Sequence, residues 1–341
     1  MTAEAIAHSR RSRALRRAWV LVALATIVVV LFFAAVMVGD KFYGLGTVWG
    51  VITGQDVGGA QFIVGKLRLP RAALGVLAGA AFGVAGVTFQ TMLRNPLASP
   101  DIIGIDAGAA TAAVAAIVVF RMSGTEVSIV ALVAALVTAA TIYALSIKSG
   151  FRGTRLILIG IGIAAFLDSI TSYLLSRAAQ WDLQAAMRWL TGSLNNVSWD
   201  EVRPVALAML VILPVLLLLS RDLGLLRMGD DAAAALGVRV NLTRIVLIVG
   251  AVALLAFATA ACGPIAFVAF MAGPIASRIV GPGGSLILPA ALVGAMLVVA
   301  ADMIGQHLFD HRYPVGIVTG VLGAPFLLYL LIRNNRSGGS I

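Results

Sequence analysis

Long apolar runs, punctuated by short clusters of Gly, Pro and charged residues, recur from one end of the chain to the other. They fall at 18–38, 70–92, 102–120, 127–147, 155–176, 204–220, 242–261, 264–277, 286–307 and 314–333. Most are about 20 residues long, the length a helix needs to cross the hydrocarbon of a bilayer. Backbone polar groups find no water there, so each such run must satisfy its own hydrogen bonds as a helix. The pattern predicts an all-α, polytopic membrane protein of about ten spans. The run at 264–277 is too short to cross comfortably and is expected to be a half-helix packed inside protein.

Composition agrees with lipid as the main solvent. Of 341 residues, 60% are hydrophobic and 12% charged, with a mean hydropathy of +1.02, outside the range of soluble domains. The 36 glycines, many set among alanines, suit close helix–helix approach in a membrane. A net charge of +10 would suggest nucleic acid, but the basic residues sit at span ends and in loops, where topology requires them. Arg10, Arg11, Arg13, Arg16 and Arg17 precede the first run. That run is long enough to span and is followed by no cleavage site of secretory type, so it reads as a start helix.

Ten spans return the chain to its starting side, and the arginine-rich start with Arg333 and Arg336 assigns both termini to the cytoplasm. Sixteen of the 25 Lys and Arg residues then fall inside. The expected organisation is a tail at 1–17, a single membrane domain at 18–333 with an inner loop at 221–241, and a tail at 334–341. Segments 70–176 and 242–333 hold four spans each and start from opposite faces, as inverted repeats do.

Several function classes are disfavoured. No HExxH or GxSxG constellation suggests an intramembrane enzyme. No phosphate loop occurs; Gly65-Lys66 lacks its upstream glycine and following Ser or Thr, so any ATP is hydrolysed on a partner. The single cysteine, Cys262, reads as packing, and His8, His307 and His311 lack metal-site spacing on one helix face. An ion-coupled secondary transporter would want several deep ionisable residues. Asp106 and Asp302 lie near span ends, where water or backbone partners are expected, which leaves Asp168 as the only deep acid. Ser169, Thr171 or Ser172 is near enough to bond it, which favours a structural contact over a proton relay.

Six blocks are more specific. Residues 67–108 read LRLPRAALGVLAGAAFGVAGVTFQTMLRNPLASPDIIGIDAG; 155–175 read RLILIGIGIAAFLDSITSYLL; and 189–199 read WLTGSLNNVSW. Residues 229–238 read GDDAAAALGV, 262–280 read CGPIAFVAFMAGPIASRIV, and 313–331 read YPVGIVTGVLGAPFLLYLL. Together, over roughly 15–335, these resemble the FecCD-type permeases of iron-siderophore, haem and vitamin B12 ABC importers. Gly273-Pro274 stands where many members carry Pro-His, a variant that looks more like the G-type permease of ferric catecholate systems.

The resemblance implies a type II ABC importer permease bundle without cofactors that moves ferric siderophore by alternating access; haem or vitamin B12 is the alternative cargo. It implies a second permease subunit, as hetero- or homodimer, a cytoplasmic ABC ATPase dimer, and a periplasmic or lipid-anchored substrate-binding protein. Arg68 and Arg71, three apart and so on one helix face, would dock carboxylates of the binding protein; plain snorkelling anchors are the alternative. The family's third docking arginine aligns with Gln306, where His307 or Arg312 would substitute. Asn95 and Leu97 match a cytoplasmic gate, and Gly153 and Thr154 a second constriction whose work would pass in part to Arg152. Residues 225–238 match paired coupling helices that seat in the ATPase, with Leu225, Gly229, Asp230, Asp231, Leu236, Gly237 and Arg239 at the contact. Substrate would slide past small apolar residues of the fifth and tenth spans.

Overall fold

The computed structural model describes residues 3–100, 104–146, 153–281 and 283–336. Arg152 lies outside them. The order is α1 (Ala3–Met37), α2 (Leu45–Ile52), α3 (Gly59–Phe62), a π-helical turn (Ile63–Arg68), α4 (Leu69–Met92), α5 (Ile105–Val118), α6 (Thr125–Ser146) and α7 (Gly153–Arg177). Then follow α8 (Gln180–Leu190), α9 (Trp199–Leu218), α10 (Ser220–Leu226), α11 (Asp230–Ala235), α12 (Val240–Cys262), α13 (Val268–Val280), α14 (Ile287–His307) and α15 (Val315–Arg336). Eight helical stretches among the described residues are long and apolar enough to cross a membrane, and α5 and α13 are shorter apolar helices. All ten expected spans correspond to helices. The short amphipathic helices α2 and α8 lie in segments the apolar pattern leaves blank.

Helix α4 is the axis of the bundle, buried along nearly its whole length. The reason is its small residues. A Cβ added at Gly79 would sit 2.5 Å from the Gly294 carbonyl oxygen of α14, and one at Gly83 would sit 2.1 Å from that of Ala290. At Gly86 it would sit 1.8 Å from the Ala269 oxygen of α13. Glycines spaced by about one turn thus let three backbones meet, and dispersion replaces a hydrophobic force that lipid does not provide.

Helix α13 is a half-helix, as its length foretold, and nine of its residues are buried. It carries Pro274, which has no N–H to give the carbonyl of Phe270 one turn back. Gln90 of α4 makes good the loss: its buried Nε2 donates to the Phe270 oxygen at 3.0 Å. Gly273 makes the room, since a Cβ there would lie 1.9 Å from Gln90 Oε1. The Gly-Pro pair and Gln90 therefore act as one unit.

Both short helices begin at a left-handed residue, Gly104 before α5 (φ 88°) and Phe267 before α13 (φ 64°). The sets α4–α7 and α12–α15 each have the short helix in second place, the order an inverted repeat would produce.

Replacing Gln90 by Leu leaves the Phe270 carbonyl buried without a donor, at a cost of about 1–3 kcal/mol. The denaturant midpoint of the detergent-solubilised Q90L protein should fall accordingly. Adding P274A supplies the missing backbone N–H, and Q90L/P274A should regain most of the loss. An unchanged midpoint for Q90L would show that the carbonyl is satisfied otherwise.

Candidate functional site

Polar and charged side chains gather at the two ends of the bundle. At the end where α1 begins, α4 stops at Leu93 and Arg94, and Arg94 turns left-handed (φ 53°). The Asn95 side chain accepts from the backbone N–H of Leu97 at 2.9 Å, an Asx turn that fixes the loop Pro96 opens. Leu97 packs on a cluster formed by Phe270, Met271 and Leu330 with Phe267 and Phe326. Phe267, Phe270 and Phe326 stand edge to face in succession, with centroids 6.3 Å apart at each step, and Arg278 lies 5.0 Å over the Tyr329 ring beyond them. A Cβ at Gly153 would sit 2.7 Å from Leu93 Cδ2. The structure thus brings Gly153 beside the end of α4 that leads into the Asn95–Leu97 turn, while Thr154 is exposed.

Residues 220–235 form the paired short helices α10 and α11 at this same end. Gly229 (φ 118°, ψ 155°) opens α11 in a region open to glycine. Met228 and Leu236 are exposed apolar side chains, and Asp231, Gly237 and Arg239 are exposed beside them, with Leu225 half-buried. Asp230, expected at the contact rim, is about half exposed and also bonds within the chain. Its two oxygens each lie 2.9 Å from Arg244 Nη2 of α12, and Arg94 Nη2 lies 3.3 Å from Oδ1. Arg94 Nε also donates to the Leu226 carbonyl at 3.0 Å.

At the opposite end Arg68 and Arg71 diverge. Arg68 reaches back to the last carbonyls of α1, donating to Val36 at 3.1 Å and Met37 at 3.0 Å, and to Lys41 in the loop beyond at 2.8 Å. It caps that helix, where a cation also complements the dipole, and stacks over Tyr43 at 5.3 Å. Arg71 turns to α14 and grips Asp302 with a two-pronged contact, Nε to Oδ2 and Nη2 to Oδ1, both 2.7 Å. Arg312 pairs with Asp40 at 2.7 Å; that hydrogen bond, and the charge behind it, holds the exposed Asp40 carboxyl below its ordinary value. The pair therefore persists at neutral pH and weakens as pH falls through the depressed value. Around these groups lies a cavity of about 770 Å³ whose lining includes Lys66, Arg68, Arg71, Asn195, Gln306 and Arg312.

Asp302, expected near water, is 6% exposed beside Arg71. Asp168 lies well inside α7, as expected, but on an exposed face; the hydroxyls of Ser169 and Ser172 turn to the backbone carbonyls of Ala165 and Asp168. Position along a span gives depth but not which side of the helix faces out. Asp106, at the start of α5, accepts from Thr259 of α12 at 2.9 Å. Arg94 and Arg244 went unrecognised as partners of Asp230; their positions at the end of α4 and in the first turns of α12 were the available signal.

A model of the FecCD transport family matches residues 27–333. The chain is 40% identical over 290 residues to the ferric enterobactin transport system permease protein FepG of Escherichia coli K12, covering 85% of this chain and 88% of that protein. It is 40% identical to the achromobactin transport system permease protein CbrC of Dickeya dadantii, covering 82% and 81%. Among solved structures, a metal-chelate type ABC transporter in an inward-facing conformation superposes with a TM-score of 0.82 at 27% identity, over 92% of this chain and 98% of that one.

Truncating one member of a buried ion pair strands the other, at about 3–5 kcal/mol. R71A should lower the unfolding free energy by that order, and adding D302A should return part of it. Additive losses in this double-mutant cycle would show that the two side chains are not coupled.

Proposed function

This chain belongs to the FecCD transport family, and we propose that it is the membrane-spanning permease subunit of an ATP-driven importer carrying a ferric siderophore across the inner membrane, with both termini in the cytoplasm. The match, over more than four fifths of each chain, to FepG and CbrC, permeases named for ferric enterobactin and achromobactin transport, carries the reading. The ten-helix bundle, which superposes on a metal-chelate transporter, supports it.

The exposed face of α7 favours a paired permease. Gly162, Ala165, Asp168, Ser169 and Ser172 are all exposed there. By the usual rise of about 1.5 Å per residue, Asp168 lies about 13 Å from the nearer end of α7. A carboxylate facing hydrocarbon near mid-span costs about 2.5–3.5 kcal/mol on insertion scales. A second permease subunit, with a water-filled path between the two, removes that cost. Alternating access then consists of rocking the two bundles about this seam.

The ATPase docks on α10 and α11, where Met228 and Leu236 offer apolar contact within a rim of Asp231 and Arg239. The binding protein docks at the opposite end, over the cavity edged by Arg68, Arg71 and Arg312. All three guanidinia are engaged within the chain, so their role in docking is to present a pre-ordered basic surface through their remaining donors.

Cells lacking this chain should lose uptake of an iron-loaded siderophore from a panel that includes catecholates, with labelled cobalamin unaffected, and regain it on complementation. Loss of cobalamin uptake alone would move the cargo, and unchanged uptake of every chelate would overturn the reading. L236D should reduce co-purification of the ATPase at least fivefold without loss of the folded permease.

A further inference from the structure

Helix α11 has six residues, of which Ala233 alone is buried. A helix of that length does not hold itself in place in water, so its position is set by what its ends are tied to. Asp230, its first residue, is bound by two guanidinia with different anchorages. Arg244 is 6% exposed within α12 and belongs to the body of the bundle. Arg94 is about half exposed and belongs to the end of α4, immediately before the Asn95–Leu97 turn. Through Nε, Arg94 also holds the carbonyl of Leu226, the last residue of α10, which accepts as well from the Gly229 N–H at 3.3 Å. One side chain therefore grips the end of α10 and the start of α11 at once.

We propose that Arg94, Asp230 and Arg244 are positioning residues that transmit movement of the coupling helices to the cytoplasmic gate. The proposal rests on the permease reading above and adds the route. The backbone at Arg94 is left-handed and continues directly into the Asx turn that carries Leu97. Leu97 in turn bears on the Phe270, Met271 and Leu330 cluster of α13 and α15. A shift of α10 and α11 by the ATPase pulls on Arg94, and residue 94 has no slack before Leu97. Arg244 holds the same carboxylate by the shorter contacts, 2.9 Å against 3.3 Å. It keeps the Asp230 carboxylate in place for Arg94 to hold. The half-exposed Arg94–Asp230 pair adds little stability; its contribution is geometric.

The test uses the assembled importer, with its second permease, ATPase and binding protein, in proteoliposomes supplied with each ferric siderophore of the uptake panel. R94Q should retain the ATPase on purification and hydrolyse ATP within about twofold of wild type, while substrate moved per ATP falls at least fivefold. D230N should lose transport to a similar degree, and D230E should restore most of it. With L97C, nucleotide-dependent labelling should be present in the otherwise wild-type background and absent with R94Q; native Cys262 is buried. Unchanged transport per ATP in R94Q, or labelling that still follows nucleotide, would overturn the link. Loss of the ATPase from D230N with R94Q unaffected would make Asp230 an ATPase contact and also overturn it. A wild-type complex that moves no ferric siderophore would instead refute the permease reading for that cargo.

Discussion

Helices α4 and α14 touch backbone to backbone, because Gly79 and Gly83 on one face Gly294 and Ala290 on the other with no Cβ between them. In lipid this close approach is what makes association favourable, since burying an apolar side chain gains nothing over leaving it among acyl chains. The other contacts are hung on that seam. It brings Arg71 of α4 alongside Asp302 of α14 at one end, and it seats α13 so that Gln90 reaches Phe270.

Irregular backbone at membrane depth is tolerated only where protein satisfies it. The approach to α13 meets that condition with backbone partners and with Gln90. The loop after α8 meets the end of α12 and the start of α15: the Ser193 N–H donates to the Cys262 carbonyl at 2.7 Å and the Gly316 N–H to that of Gly192 at 3.1 Å. The resulting interior is closely packed along α4 and exposed along α7.

The arginines of this chain work mainly as ties. Arg68 joins the start of the α4 stretch to the end of α1, Arg71 joins α4 to α14, and Arg94 and Arg244 join α4 and α12 to α11 through Asp230. Each guanidinium has five donors in a fixed fork, so it can hold an internal partner and still present a positive surface. A basic residue at a span end thus serves topology, packing and recognition together.

Hydropathy, composition and the motif blocks determined the all-α membrane fold, the ten helices and the half-helix at α13, because the length and apolarity of each run fix its state in hydrocarbon. The motif order also determined the family; the paired short helices expected at 225–238 lie at 220–226 and 230–235. Only the tertiary structure decided which charges meet. Arg68 and Arg71, three apart on one helix, end on different helices because long side chains follow the nearest acceptor. Asp168 faces outward while Asp302 is buried, since linear position reports depth and the rotation of each helix is set by neighbours far away in sequence. Asp230 meets Arg94 and Arg244, 136 and 14 residues distant, only once the bundle has formed.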